Sequence, residues 1–188
     1  MEEPPLSFHP LTPDRWQDFE TLFGTNGACD GCWCMFWRLS RKDWTHSQYE
    51  PNRLAMKTLV ESGQTPGLMA YQGETPVGWV SVAPREKYAS LQRSKVLAPV
   101  DDQSVWSIVC YYIPAKYRKK GLMVYLTWIA KDYARSKGAH LLEAYPMDKE
   151  TRISSLSAYM GIKSVLEKAG FKEVLRRSPN HPILRCVV

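Results

Sequence analysis

The stretch VWSIVCYYIPAKYRKKGLM, residues 105–123, decides how the rest of the chain is read. Its first nine residues are largely apolar on both alternating sets. Val105, Val109, Tyr111 and Ile113 form one set, and Trp106, Ile108, Cys110 and Tyr112 the other. A strand that is apolar on both faces belongs in the middle of a sheet. Pro114 cannot donate to a ladder and ends the strand. A basic turn follows, with Lys116, Arg118, Lys119 and Lys120, and then Gly121. From about Lys119 to Lys137, Leu122, Leu126, Ile129 and Tyr133 recur at helical spacing. The first N–H groups of a helix have no internal partner and carry the positive end of its dipole, so they receive phosphate. Gly121 has no side chain to keep an anion from the backbone, and the basic residues add charge at the same place. A pyrophosphate is the natural ligand. The plainer alternative is a solvated basic first turn with no ligand. Neither GxxxxGK[ST] nor GxGxxG occurs, so this is not one of the loops those patterns mark.

Outward from this stretch the pattern stays regular. Gly138 stops the helix, and HLLEAYP (140–146) reads as a second strand. A strand–helix–strand crossover makes its two strands parallel. Upstream, GLMAYQGETPVGWVSVAP (67–84) holds two strand-forming runs around Gly73-Glu74-Thr75-Pro76, a hairpin. Between the hairpin and the central strand, 85–103 reads as a polar loop with a helical turn. Downstream, Ser157 to Ala169 reads as a helix closed by Gly170 with Phe171 behind it. FKEVLRR and PILRCVV are closing strands that turn at Ser178-Pro179-Asn180, and Pro182 opens the last of them. Toward the N-terminus, Pro13 to Phe23 reads as a short helix with Thr12 as its cap and Pro13 at its first position. A second helix is expected from about Asn52 to Ser62, closed by Gly63. Gly24 to Ser40 is irregular.

At 188 residues the chain fits a single domain, 1–188. Hydrophobic residues at 44% and charged residues at 23% are globular proportions and exclude wholesale disorder. Seven Trp and ten Tyr call for a large core or an aromatic-lined cavity. No run approaches the 18 or so apolar residues of a membrane span. Met1–Pro10 has no apolar signal region, so a cytoplasmic location is expected. The net charge of +6 suits a polyanionic ligand, a nucleic acid or a membrane surface equally well. The basic residues crowd into one turn instead of a stripe, and no nucleic-acid motif occurs, so neither nucleic acid nor membrane is expected as a partner. A homodimer is compatible with all of this.

Five cysteines remain to be placed. Cys110 and Cys186 lie in apolar runs and read as small core hydrophobes. In CDGCWCMFWR (29–38), Cys29, Cys32 and Cys34 could ligate a metal with His46 as a fourth ligand. Structural zinc is usually held by two separated pairs, and the second pair is missing, so no metal is expected.

Taken together, the chain resembles the GNAT superfamily of acyl-CoA-dependent N-acetyltransferases. Their phosphate loop reads [QR]-x-x-G-x-[GA] straight after the central strand. Arg118-Lys119-Lys120-Gly121 fits the first four positions, and Met123 departs at the last, where a small residue is usual. The order of elements agrees over roughly residues 5–188. The resemblance implies an α+β fold: a central mixed, mostly antiparallel sheet of about six to seven strands, with a splayed parallel pair and helices on both faces. It implies acetyl-CoA as co-substrate in the splay. The pantetheine arm would run along the backbone of Tyr111, Tyr112 and Ile113. The pyrophosphate would meet Arg118, Lys119, Lys120, Gly121, Leu122 and Met123. The implied reaction is direct attack on the thioester by a primary amine of a small molecule or peptide. The alternative is a non-catalytic acyl-CoA-binding or sensor protein of the same fold.

Attack requires a neutral amine, so a base or water must take a proton, and an acid can help the thiolate leave. Many relatives carry a Tyr four residues before the Gly-Phe pair; here that position is Leu166. Tyr159, with Tyr145 behind it, is the substitute donor to examine. Glu143 is the carboxylate placed for a base, its alternative being an outward-facing sheet residue. Trp33, Phe36 and Trp37 would line an aromatic acceptor pocket, and Arg38 would pair with an anionic group on the acceptor.

Overall fold

The computed structural model describes residues 4–46, 48–149, 154 and 157–188. Seven strands form one sheet: β1 (Leu6–Pro10), β2 (Leu68–Gln72), β3 (Thr75–Pro84), β4 (Trp106–Tyr112), β5 (Leu141–Ala144), β6 (Lys172–Arg176) and β7 (Pro182–Val187). Their order across the sheet is β1-β2-β3-β4-β5-β7-β6. The doubly apolar β4 is therefore the central strand. Every pairing is antiparallel except β4 with β5, which is parallel. The expected mixed, mostly antiparallel α+β architecture with one parallel pair is the one observed.

The helices are α1 (Trp16–Phe23), α2 (Arg41–His46), α3 (Glu50–Glu61), α4 (Ala89–Gln92), α5 (Leu122–Ser136) and α6 (Lys163–Lys168). Both faces of the sheet are covered, and strand alternation sorts the core between them. Val80, Val82, Ile108, Tyr111, Leu142 and Leu184 face α5 and α6, meeting Leu122, Leu126, Ala130 and Leu166. Met69, Tyr71 and Trp79 face the other way, against Phe19 and Phe23 of α1 and the loop residues Trp33, Cys34 and Met35. A third cluster continues this second face with Ala83, Val109, Tyr145 and Ile183 under Tyr88, Leu91 and Met160. Leu126 and Trp79 are fully buried; burying a Leu side chain contributes about 1.5–3 kcal/mol. Gly78 makes the close seating of α5 possible. A Cβ there would lie 3.2 Å from both Leu122 Cδ2 and Leu126 Cδ1.

Several elements differ from the sequence expectation, each for a local reason. β1 lies in the Pro-rich start and forms an edge strand on β2, where Pro10 costs no central ladder bond. The helix expected from Pro13 begins as a 3-10 turn, Pro13–Arg15, and Thr12 makes no side-chain cap. α2 falls in a segment that carries no clear periodicity. The helix expected over Ser157–Ala169 divides into a 3-10 turn, Ala158–Met160, and α6. Gly161 separates them with φ +97°, and any Cβ there would press on the Tyr111 ring at 3.2 Å. α5 starts at Leu122 rather than Lys119, because Gly121 stands in the left-handed region at φ +80°.

Candidate functional site

The site is built around the end of β4. The parallel pairing with β5 spans only Trp106↔Leu142, Ser107↔Glu143 and Ile108↔Ala144. Beyond that point no ladder joins the two strands among the described residues, and β5's continuation pairs elsewhere: Met147 bridges Ile162. The antiparallel register between β3 and β4 also slips there, from Ser81↔Cys110 to Val82↔Ile108. Val109 is the extra residue of this bulge, and it lets Val109 and Cys110 both pack on the second face. A bulge leaves its extra residue outside the regular ladder with β3 and bends the strand.

Of the residues expected along this strand, Tyr111 and Ile113 are buried. The Tyr111 hydroxyl shares a 2.8 Å hydrogen bond with Thr127 Oγ1 of α5, and burial pushes its phenol well up. Tyr112 points the other way, its ring 5.3 Å from Phe23. These side chains anchor β4 to its two neighbouring layers, which leaves the backbone to face the gap.

Pro114 leads out of β4 into a 3-10 turn, Ala115–Tyr117. Arg118 Nε donates to the Ile113 carbonyl at 2.7 Å, folding the turn back on the strand end. Lys119 and Gly121 both have positive φ, +63° and +80°. Arg118, Lys119, Lys120 and Gly121 are exposed. A Cβ at Gly121 would meet nothing within 4 Å, so glycine is wanted here for its conformation and the space above it is open. Leu122 is buried and Met123 half-buried against the core. Their side chains therefore seat α5, and only their amides, at the start of the helix, are oriented for an anion.

Glu143 is neither outward-facing nor open to the gap. It is fully buried. Its Oε1 accepts from Arg85 Nη1 at 3.0 Å and from the Tyr145 hydroxyl at 2.6 Å, and its Oε2 accepts from Arg185 Nε at 2.8 Å. Arg185 reaches on to Asp101 with both terminal nitrogens, and Arg85 Nη2 donates to the carbonyls of Leu91 and Leu97. The Tyr145 hydroxyl also bonds Ser107 Oγ on β4 at 2.8 Å, and burial pushes its phenol far up. Tyr145 is thus locked inside this network and cannot reach a substrate. The network crosses β4, β5 and β7 at the last rungs before the splay. Sequence reading passed over Arg85 and Arg185, although an Arg inside the apolar run PILRCVV is itself a sign of a buried partner.

Tyr159 lies on the 3-10 turn that packs over β4. It is half-buried beside Trp37 and Cys110. Burial, with a smaller contribution from Cys110, pushes its phenol up, so it keeps its proton at neutral pH. Leu166 is fully buried in the α5 cluster.

The residues expected to wall the acceptor divide. Trp33 is buried and stacks on Phe23 with centroids 5.7 Å apart. It belongs to the core, and only its edge reaches an open groove of about 490 Å³ between α1 and α3, lined also by Thr21, Tyr49 and Arg53. Phe36 is exposed and stands edge-on to both Trp37 and Trp44. Arg38 lies over the Tyr88 ring at 4.7 Å and donates to the Pro66 carbonyl. Its Nε is buried with no acceptor among the described residues. Among the described residues, no three His, Cys, Asp or Glu side chains gather as a metal site. The side chain of His46 lies outside the described residues.

The model of the acetyltransferase (GNAT) family matches residues 30–155. Among solved structures, the PaiA N-acetyltransferase from Thermoplasma acidophilum, in complex with coenzyme A, superposes with a TM-score of 0.55 at 15% identity, covering 98% of this chain and 99% of that one. Ribosomal-protein-S5-alanine acetyltransferase from Vibrio fischeri gives 0.54 at 14% identity, over 100% and 95% of the two chains. A GNAT-family acetyltransferase from Listeria monocytogenes gives 0.61 at 8%, over 100% and 99%. At these identities the likeness is one of fold. No curated protein is a significant match to the sequence.

Proposed function

The chain belongs to the GNAT acetyltransferase family, and from that premise we propose that it is an N-acetyltransferase acting on acetyl-CoA and a primary amine. One observation carries this reading: an exposed basic turn with an open, left-handed Gly121 lies at the end of a central strand that has just parted from its parallel neighbour. That arrangement offers amides to a pyrophosphate and a free strand edge to an extended arm. The coenzyme A in the Thermoplasma relative supports the choice of ligand.

In the proposed reaction the diphosphate rests on the first amides of α5, with Arg118, Lys119 and Lys120 around it. The pantetheine arm lies along the backbone of 111–113. A neutral amine, entering from the side of Trp37 and Arg38, attacks the thioester carbon. The carbon–sulfur bond breaks and the thiolate takes a proton. Tyr159 is the donor on that side, because its turn packs over β4 beside Trp37. Glu143 is closed off by Arg85, Arg185 and Tyr145, so the proton of the amine passes to water. The acceptor is an amine of a small molecule or of a peptide.

Thiol release from acetyl-CoA with a panel of amines tests the reading. Tyr159→Phe is expected to leave CoA affinity unchanged and to lower turnover by about tenfold, the low end for a general acid, because a CoA thiolate leaves readily. Full turnover would make Tyr159 a packing residue. A second reading, acyl-CoA binding without transfer, is favoured by Leu166, which puts a buried aliphatic group where relatives carry a hydroxyl. Thermal stabilisation by CoA with no thiol release for any amine would select it.

A further inference from the structure

The segment 24–34 is the most contorted in the described chain. Ala28, Asp30, Trp33 and Cys34 all have positive φ, with Trp33 at +46° and Cys34 at +59°. A side chain in this region costs free energy, and such costs persist where the surroundings impose them. Here the outcome is that Cys34 is pressed onto β3 and β4. Trp79 Nε1 donates to Cys34 Sγ at 3.2 Å. Trp79 and Ser81 share one face of β3, and Ser81 is paired across the sheet with Cys110. Cys34 therefore lies over the rungs that carry Cys110: it is buried in the cluster that holds Trp79, and Cys110 packs against that same cluster. Cys34 is 5% exposed, whereas Cys110 is half-buried. Acetyl transfer as proposed above uses neither thiol.

The geometry points to Cys34 and Cys110 as a modification site: an oxidisable pair that a hydroperoxide joins in a disulfide. The attacking sulfur is Cys34. The neighbouring Cys110 thiol lowers its pKa, outweighing burial, with further help from the Trp79 N–H and the charge of Arg38, while Cys110 is raised. Cys32, by contrast, is pushed up to about 11 by burial and stays a thiol. The thiolate, not the thiol, reacts with peroxide. Cys34 Sγ attacks one peroxide oxygen, the O–O bond breaks, and the leaving oxygen departs protonated. Cys34 is then a sulfenic acid. Cys110 Sγ attacks Cys34 Sγ, the S–O bond breaks, and hydroxide leaves as water with the proton that Cys110 gives up. The two thiols lose two electrons and two protons, and hydrogen peroxide becomes two waters. Hydrogen peroxide is scarcely larger than water, which suits a thiol this enclosed.

The test uses the full chain, hydrogen peroxide and mass spectrometry, and needs no acetyl transfer. After oxidation, denaturation and alkylation, three of the five thiols should be blocked. The unalkylated chain should lose about 2 Da, and one peptide should link Cys34 to Cys110. Dithiothreitol should restore all five thiols. In Cys110→Ser, dimedone should label Cys34 as the stranded sulfenic acid. A bond from Cys34 to Cys32 or Cys29 would overturn the assignment. So would oxidation confined to the exposed Cys29 with Cys34 and Cys110 both still alkylated. The primary readout is on the unsubstituted chain, so a variant that failed to fold would not shelter the proposal.

Discussion

Two charged regions flank the place where β4 and β5 part, and they are opposites. In the basic turn 116–121, Lys116, Arg118, Lys119 and Lys120 are exposed, and the glycine opens onto free space. The Glu143 network is sealed: a fully buried carboxylate held by Arg85 and Arg185, with Tyr145, Ser107 and Asp101 completing it. The first region is open to solvent. The second satisfies its groups inside the chain, at the rungs just below the gap. The contrast teaches that charge near a cleft says little about chemistry until its partners are known. Glu143 has its partners within the fold, so it holds the strands; the turn is the part that the proposed function assigns to a ligand.

The largest effect should come from breaking the sealed region. Glu143→Gln leaves Arg85 buried without its counter-charge and Arg185 with Asp101 alone, a loss of about 3–5 kcal/mol for a broken buried pair. Urea unfolding checks this, and a loss below about 1 kcal/mol would mean the network does not hold the strands. Next in size is Gly121→Asp in the open turn. An added Cβ meets nothing within 4 Å, and Asp tolerates positive φ better than most side chains. Stability should therefore change little, while a like charge at the anion position should weaken CoA binding by about 3 kcal/mol or ~100-fold. Calorimetric binding at the parent's affinity would place the pyrophosphate elsewhere. Arg118→Ala should act in the same direction but weakly, about tenfold or less, since the amides remain; the loss should shrink as salt rises.

The smallest effect concerns the rim of the sealed region. The hydrogen bonds from Arg185 hold the Asp101 carboxyl down to about 2, against 3.8 for a free one. A depressed folded-state pKa stabilises the fold above the unfolded value, and that stabilisation is lost as pH falls from about 4 toward 2. Asp101→Asn should therefore lose less melting temperature than the parent across that acid window. Identical acid profiles would show that Arg185 is held by Glu143 alone.

How much of this was legible depended on the range of the interactions. The stretch 105–123 announced a central strand, a stop and a helix because doubly apolar alternation, a proline and a 3.6-residue period are local signals. The turn was legible for the same reason: Arg118, Gly121 and the helix start are contiguous. β1 was missed because an edge strand of five residues needs little hydrophobic pattern. Trp33 was assigned to a pocket because aromatic residues in a loop look alike whether they face a ligand or a core. Its stacking on Phe23 and the folding of the loop onto Trp79 are contacts between residues distant in sequence.

By itself, then, the sequence determined the order of elements, the parallel crossover and the exposed basic turn before the helix, all set by periodicity and by backbone preferences of neighbouring residues. Only the tertiary structure decided what the charged and sulfur side chains do. Glu143 met Arg185 across 42 residues and Arg85 across 58. Cys34 met Trp79 across 45. A carboxylate becomes a base or a brace, and a thiol a filler or a reactive pair, through desolvation and partners supplied by distant strands, which no local window contains.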